Sequence, residues 1–233
     1  RVLARTMVDL GNAGGRKTVA VLSDMSQPLG TRIGNRLEIL EALDILQGRG
    51  REDITTFICE LAQIMLGLAD VEKTAEEVRE QLTNGAALKK FEAMIADQGG
   101  DLEDLYRPSS AAHIIDVKAE QAGYITELPA MEFGLFAMRL GAGRAVKSDD
   151  LDYETGIVFE KKVGEAVQSG EVVAKIYANQ KISEEMITEF KKNVKILFYN
   201  NEISIYNKYS IYDCMLCIWK KYDSYIYFRY YNS

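Results

Sequence analysis

Residues 14–30, GGRKTVAVLSDMSQPLG, gather glycines, basic side chains and a hydroxyl, the residue types of phosphate-binding loops. A loop of the form G-x-x-x-x-G-K-[ST] cradles phosphate with backbone N–H groups and a lysine, and it must follow a strand and open a helix. Counting from Gly11, Arg16 stands where the second glycine is required, ahead of Lys17 and Thr18. The flanks are inverted as well. RVLARTMVDLG before the glycines carries Val2, Leu3, Thr6, Met7 and Leu10 at helical spacing, whereas TVAVL after them has the β-branched, apolar character of a strand buried on both faces. Gly11, Gly14 and Gly15 therefore read as a helix C-cap and an αβ turn. Two further signals fail on similar grounds. LGAGRAV has Gly141 and Gly143 but Val146 where a dinucleotide fingerprint needs its third glycine, and it follows a helix-like EFGLFAMRL, so it reads as a helix end and turn. Cys214 and Cys217 have metal-ligand spacing, but a structural zinc site needs four ligands and no second pair exists.

What remains is a helix, a strand and a polar loop, DMSQPLG, at the strand's carboxyl end, where open α/β sheets face their ligand crevice. Pro28 fixes its own φ and biases Gln27 toward an extended conformation, and Gly30 lets the chain turn. The next helix, GNRLEILEALDIL, is expected to carry an apolar stripe of Ile33, Leu37, Leu40 and Leu43. DITTFICELAQIMLGLA places Phe57, Leu61, Ile64 and Leu68 at helical spacing, with Cys59 as a core thiol. Thr74 and Glu77 form a cap-like pair ahead of a helix ending at Asn84-Gly85, and ALKKFEAMIADQGG is a further helix. DLEDLYRPSS reads as a polar linker.

Beyond it the period changes. HIIDVKAEQAGYITEL reads as two strands around Gly123, and GIVFEKKVGEAVQSGEVVAKIYA as three strands separated by turns at Gly164-Glu165 and Gly170-Glu171. His113, the chain's only histidine, is expected as a packed strand residue. SEEMITEFKKNVKIL is expected as a helix with Ile187, Phe190, Val194 and Leu197 on one face. From Phe198 onward there is no Gly, Ala or Val, and nine of the 13 tyrosines fall there. Such bias is what AT-rich DNA gives when read in a wrong frame, and it is expected to leave 198–233 an anomalous, low-complexity tail. Its basic residues among aromatics are nearly balanced by acids, which argues against a single-strand nucleic-acid platform.

GRKTVAVLSDMSQPLG followed by IGNRLEILEAL resembles the pyrimidine-nucleoside phosphorylase family, which includes thymidine phosphorylase, and the likeness continues more loosely to about residue 197. The resemblance implies phosphorolysis, in which inorganic phosphate displaces a pyrimidine from a nucleoside to give free base and pentose 1-phosphate. It implies an α/β plus α+β fold: the latter part of a mixed helix/sheet domain over 1–100, a linker at 101–108, and a small barrel-sandwich-like C-terminal domain over 109–197. The family's phosphate and base ligands lie in a K-H-S segment, in other Ser and Thr residues, and in an Arg and a Lys, all N-terminal to the quoted loop. No K-H-S occurs in this sequence, so no catalytic or substrate-binding residue is assigned. One feature carries over. Bacterial members bind potassium beside the phosphate loop through two backbone carbonyls and a helix glutamate, positions that are Leu29, Arg32 and Glu41 here, with Arg32 replacing the usual small residue. The resemblance also implies a homodimer formed through an N-terminal helical domain.

The whole chain bounds these expectations. Hydrophobic residues make up 47% and charged residues 27%, which suits a packed core. A net charge of −7 argues against nucleic acid or an anionic membrane as the main partner, and the sequence has no signal-peptide pattern and no membrane-length apolar run, so a cytoplasmic location is expected. Three cysteines give no disulfide framework. Because the sequence starts at Arg1 inside a helix it is expected to be a fragment, and because no residue matches the family's phosphate and base ligands it is expected to be inactive alone. Two other readings stay open: a biotinyl- or lipoyl-like interaction module, suggested by the paired G-E turns although no M-K-M or D-K-A context occurs, and the nonfunctional product of a disrupted reading frame.

Overall fold

The computed structural model describes residues 1–198 together with two backbone strands beyond them, β9 (Cys217–Lys220) and β10 (Tyr225–Phe228); the remaining tail, including Cys214, lies outside the described residues. The architecture mixes helix and sheet. Helix α1 (Val2–Ala13) ends at the expected glycines, with the Gly14 N–H donating to Leu10 O and Gly15 adopting φ 73°. Its apolar residues do not all point inward: Val8 is buried, whereas Val2, Leu3, Met7 and Leu10 are exposed. The strand after it, β1 (Val21–Leu22), is shorter than the TVAVL pattern predicts, and Val21 is exposed. Neither Val21 nor Leu22 is buried, so the expected burial on both faces is not met; among the described residues β1 pairs with β10, parallel to it.

The chain then passes through β2 (Arg32–Ile33) into α2 (Asn35–Leu46). Ile33 therefore belongs to the strand and not to the helical stripe, and α2 buries Arg36, Leu37, Leu43 and Ile45. In α3 (Glu52–Leu68) the buried residues are Ile54, Thr55 and Cys59, while Phe57, Leu61, Ile64 and Leu68 are only half-buried. The face is rotated because α4 (Ala75–Thr83) packs its Leu82 beside Ile45, Ile54 and Cys59. The Thr74–Glu77 capping box is present, the Thr74 N–H donating to Glu77 and the Glu77 N–H to Thr74 Oγ1. Gly85, at φ 79°, ends that helix and starts α5 (Ala86–Asp97). The segment expected as a linker contains a short helix, α6 (Leu102–Tyr106), with Leu105 buried.

The second half builds two small antiparallel sheets. One has the order β2-β5-β7-β3, from β3 (His113–Lys118), β5 (Gly156–Phe159) and β7 (Val172–Ala178). The other is β6-β4-β8, from β4 (Gly123–Glu127), β6 (Ala166–Val167) and β8 (Lys195–Leu197). The turns between β5, β6 and β7 use Gly164 and Gly170 at φ 92° and 82°, where a left-handed backbone favours glycine. Alternation along β7 buries Ala174, Ile176 and Ala178 against α7 (Ala130–Ala137) and α8 (Glu184–Asn193). Four phenylalanines close that core: Phe133, Phe136 and Phe159 all pack around Phe190, with ring centroids 4.9, 5.2 and 6.2 Å from it. Beyond α7 the helix widens over Met138–Ala142 and ends where Gly141 reaches φ 108°, as the LGAGRAV reading requires.

Two expectations fail here for identifiable reasons. His113 is exposed, because it opens β3, the edge strand of its sheet. The SEEMITEFKKNVKIL segment is not one helix: α8, capped by Ser183, stops at Asn193, and Lys195–Leu197 pair with β4. Ile187 and Phe190 pack into the core as expected, but Leu197 sits in a strand and is exposed.

Candidate functional site

The DMSQPLG loop, residues 24–30, is held from both sides. On its amino side the Asp24 carboxylate accepts from the Ser26 N–H and hydroxyl, forming a local turn. On its carboxyl side Glu41 projects from α2 back onto the loop. Its Oε1 accepts from the Thr31 N–H at 2.7 Å and the Thr31 hydroxyl at 2.6 Å, and its Oε2 from the Arg32 N–H at 3.4 Å. Gly30 makes this approach possible: a Cβ there would lie 2.1 Å from Glu41 Oε2. Glu41 is thus a carboxylate committed to the loop and not a solvated helix residue.

The Arg32 side chain is directed away from this carboxylate. Its guanidinium pairs with Asp44 at 2.8 Å, and Asp44 also holds Arg49 at 2.8 Å. The backbone of Arg32 lies in β2, paired with Val158 of β5, and the Phe159 N–H donates to Thr31 O at 2.7 Å. The three residues assigned to a cation, Leu29, Arg32 and Glu41, are therefore brought to a single loop and the helix behind it.

A fourth residue, absent from the sequence reading, joins them. Lys162, in the turn after β5, reaches across to the loop and donates from Nζ to the carbonyls of Pro28, Leu29 (3.2 Å) and Gly30 (2.9 Å). Its residue is only 4% exposed. Burial pushes this ammonium below the ordinary lysine value; Arg51 adds to the push, while the Asp53, Glu41 and Glu165 carboxylates pull the other way. Nearby, the Val163 N–H donates to Gln27 Oε1 and the Ala130 N–H to Ser26 O, so the second half of the chain holds the loop from Ser26 to Gly30. No local pattern marked Lys162: it follows Lys161 in a turn, a setting in which lysines are ordinarily solvated. The burial does not favour a carrier role either, since Lys162 is not on an exposed tip and Lys161 pairs with Glu171 at 2.8 Å.

A second cluster fixes the frame behind the loop. Arg36, nearly buried on α2, donates to both Asp104 carboxylate oxygens at 3.0 Å and lies 3.6 Å from Glu154. Arg107 in turn binds Glu154 at 2.8 Å. Burial works against the charged form of Glu154, yet hydrogen bonds from Arg107 and the Ser110 N–H hold its carboxyl below the usual glutamate value. These pairs tie α2, α6 and the turn before β5 together.

The donor set of the loop suits a large monovalent cation better than a divalent one. Among the described residues no three His, Cys, Asp or Glu side chains converge, so what the loop offers is carbonyl oxygen and one carboxylate. The Glu41 carboxylate that Gly30 admits, and loop carbonyls that already receive an ammonium, are oxygen ligands of that kind.

Comparison with known proteins gives the family. Residues 124–197 match the family model described as the pyrimidine nucleoside phosphorylase C-terminal domain. Over 201 residues, 83% of the chain, the sequence is 45% identical to the pyrimidine-nucleoside phosphorylase of Bacillus subtilis (strain 168). It is 42% identical to that of Staphylococcus haemolyticus (strain JCSC1435) and 41% identical to that of Staphylococcus aureus (strain USA300) over the same extent. The match covers 46% of each of these proteins, so the chain spans about half the length of the relatives it resembles. The match over residues 124–197 and the identity over 83% of the chain make this chain a member of the pyrimidine-nucleoside phosphorylase family, of which it carries the C-terminal portion.

Proposed function

We propose that this chain supplies the cation-side loop and the C-terminal domain of a phosphorylase that converts a pyrimidine nucleoside and inorganic phosphate to the free base and pentose 1-phosphate. The observation that carries this reading is the Glu41 carboxylate locked onto the QPLG loop through Thr31 and Arg32, with Gly30 as the residue that admits it. Breaking an N-glycosidic bond with phosphate requires the anion to be held against the anomeric carbon and the departing pyrimidine anion to be stabilised. A potassium ion held by the Leu29 and Arg32 carbonyls and by Glu41 would supply positive charge beside the phosphate; the Leu29 oxygen, which already accepts from Lys162 Nζ at 3.2 Å, would serve the ion with its second lone pair. The loop residues position that charge: Thr31 orients Glu41, β2 and β5 fix the Arg32 backbone, and Asp44 keeps the Arg32 guanidinium off the carboxylate. Residues 109–197, taken as a barrel-sandwich-like domain, and the helices of 1–100 act as the supports for this loop. In the intact enzyme this reading includes a homodimer, and neither nucleic acid nor a membrane as partner; among the described residues no helix is long and apolar enough to cross a membrane.

The sequence contains no K-H-S segment, and this reading assigns none of its residues to phosphate or base. Incubating the purified chain with thymidine or uridine and phosphate is therefore expected to release no base. Turnover in the ordinary enzyme range of roughly 1–1,000 s⁻¹ would place the phosphate and base pockets within these 233 residues and overturn this division of labour.

A further inference from the structure

We propose that the carbonyls of Pro28, Leu29 and Gly30 form a monovalent-cation cradle which the chain fills from within, the Lys162 ammonium serving as the cation. An ammonium has three N–H donors and no acceptor, and here three consecutive carbonyl oxygens receive them. Consecutive carbonyls do not converge on one point in a strand or a helix; they do so here because Pro28 fixes its φ and the chain turns at Gly30. Among the described residues no carboxylate lies within ion-pair distance of Lys162 Nζ. Its nearest charged neighbours act only over longer range, so the carbonyl dipoles replace its hydration shell, as they do for a desolvated alkali ion.

The tether gives the cradle a role beyond packing. Lys162 stands 132–134 residues from the carbonyls it holds, so the loop conformation depends on the turn between β5 and β6. Lys162 is thereby a positioning residue for the loop. The site would accept, once the lysine side chain is removed, a small free cation that carries N–H donors for the three carbonyls, such as ammonium or methylammonium. This inference concerns the stability of the chain itself and stands independently of phosphorolysis.

The test is chemical rescue in the full 233-residue chain. Lys162→Ala is expected to lower the thermal midpoint by several degrees, and millimolar ammonium or methylammonium chloride to restore at least half of the loss. Tetramethylammonium at equal ionic strength, which has no N–H to donate and is too bulky, is expected to restore none, and the unsubstituted chain to respond alike to all three salts. An unchanged midpoint in the variant, or equal recovery in every salt, would overturn the proposal. Should Lys162→Ala fail to fold, the unsubstituted chain still decides. Its ¹⁵N-labelled lysine spectrum at neutral pH should contain an exchange-protected ammonium signal with nuclear Overhauser contacts to Pro28 and Gly30. Absence of that signal would equally overturn it.

Discussion

Phe190→Ala is expected to destabilise the chain by about 3–5 kcal/mol, the cost of emptying a fully buried aromatic site. Phe190 is completely buried on α8, and Phe133, Phe136 and Phe159 surround it. Those rings come from α7 and β5, so the cavity could close only if a helix and a strand moved together. The edge-to-face contacts, such as the 73° interplanar angle with Phe136, add a geometric component that alanine cannot supply. Because β5 carries Phe159 and leads directly into Lys162, loosening this core should also loosen the QPLG loop. Urea unfolding measures the effect. A loss below about 0.5 kcal/mol, the range of ordinary surface substitutions, would show that the aromatic cluster does not anchor the C-terminal domain.

Gly34→Ala is expected to cost about 3 kcal/mol, from backbone strain and overpacking acting together. Gly34 lies at φ 122° and ψ 148°, a region that residues with a side chain rarely enter. A Cβ there would also fall 2.4 Å from Thr155 O and 2.9 Å from Gly156 Cα, both of which are backbone atoms that cannot rotate aside. Gly156 faces it with the same constraint, since its own Cβ would lie 2.1 Å from Ile33 O. The glycine pair is what lets β2 lie on β5 and bring Thr31 and Arg32 into register with Phe159 and Val158. By comparison, Gly164→Ala, where no atom lies within 4 Å, should show only the smaller conformational penalty of φ 92°. Equal effects of the two substitutions would argue that the close crossing is unimportant.

How far the sequence revealed this arrangement depended on whether a feature is local. The Thr74–Glu77 box, the Gly85 turn, the G-E hairpin turns and the α1 glycine cap were legible because each is determined by residues within a few positions of one another. Glu41 was legible only through resemblance, since a glutamate on a helix carries no mark of facing a loop. Lys162 was not legible at all: its burial arises from carbonyls more than 130 positions away. Period reading found α3 without fixing its buried face, and misjudged the end of α8, for a related reason. Several faces of α3 are apolar, and the one buried is chosen by α4; the continuation of α8 is stopped by β4, which offers Lys195–Leu197 a strand partner. His113 shows the complementary error, an apolar neighbourhood in sequence that turns out to be a sheet edge.

The most direct measurement joins this chain to the N-terminal half of the Bacillus subtilis relative and follows base release from uridine or thymidine with phosphate, in potassium and in sodium. The account predicts phosphorolysis favoured by potassium, and loss of that preference in Glu41→Gln, which removes the anionic ligand proposed from this region while leaving an amide oxygen for Thr31. A folded chimera in which Glu41→Gln leaves the potassium response unchanged would contradict it.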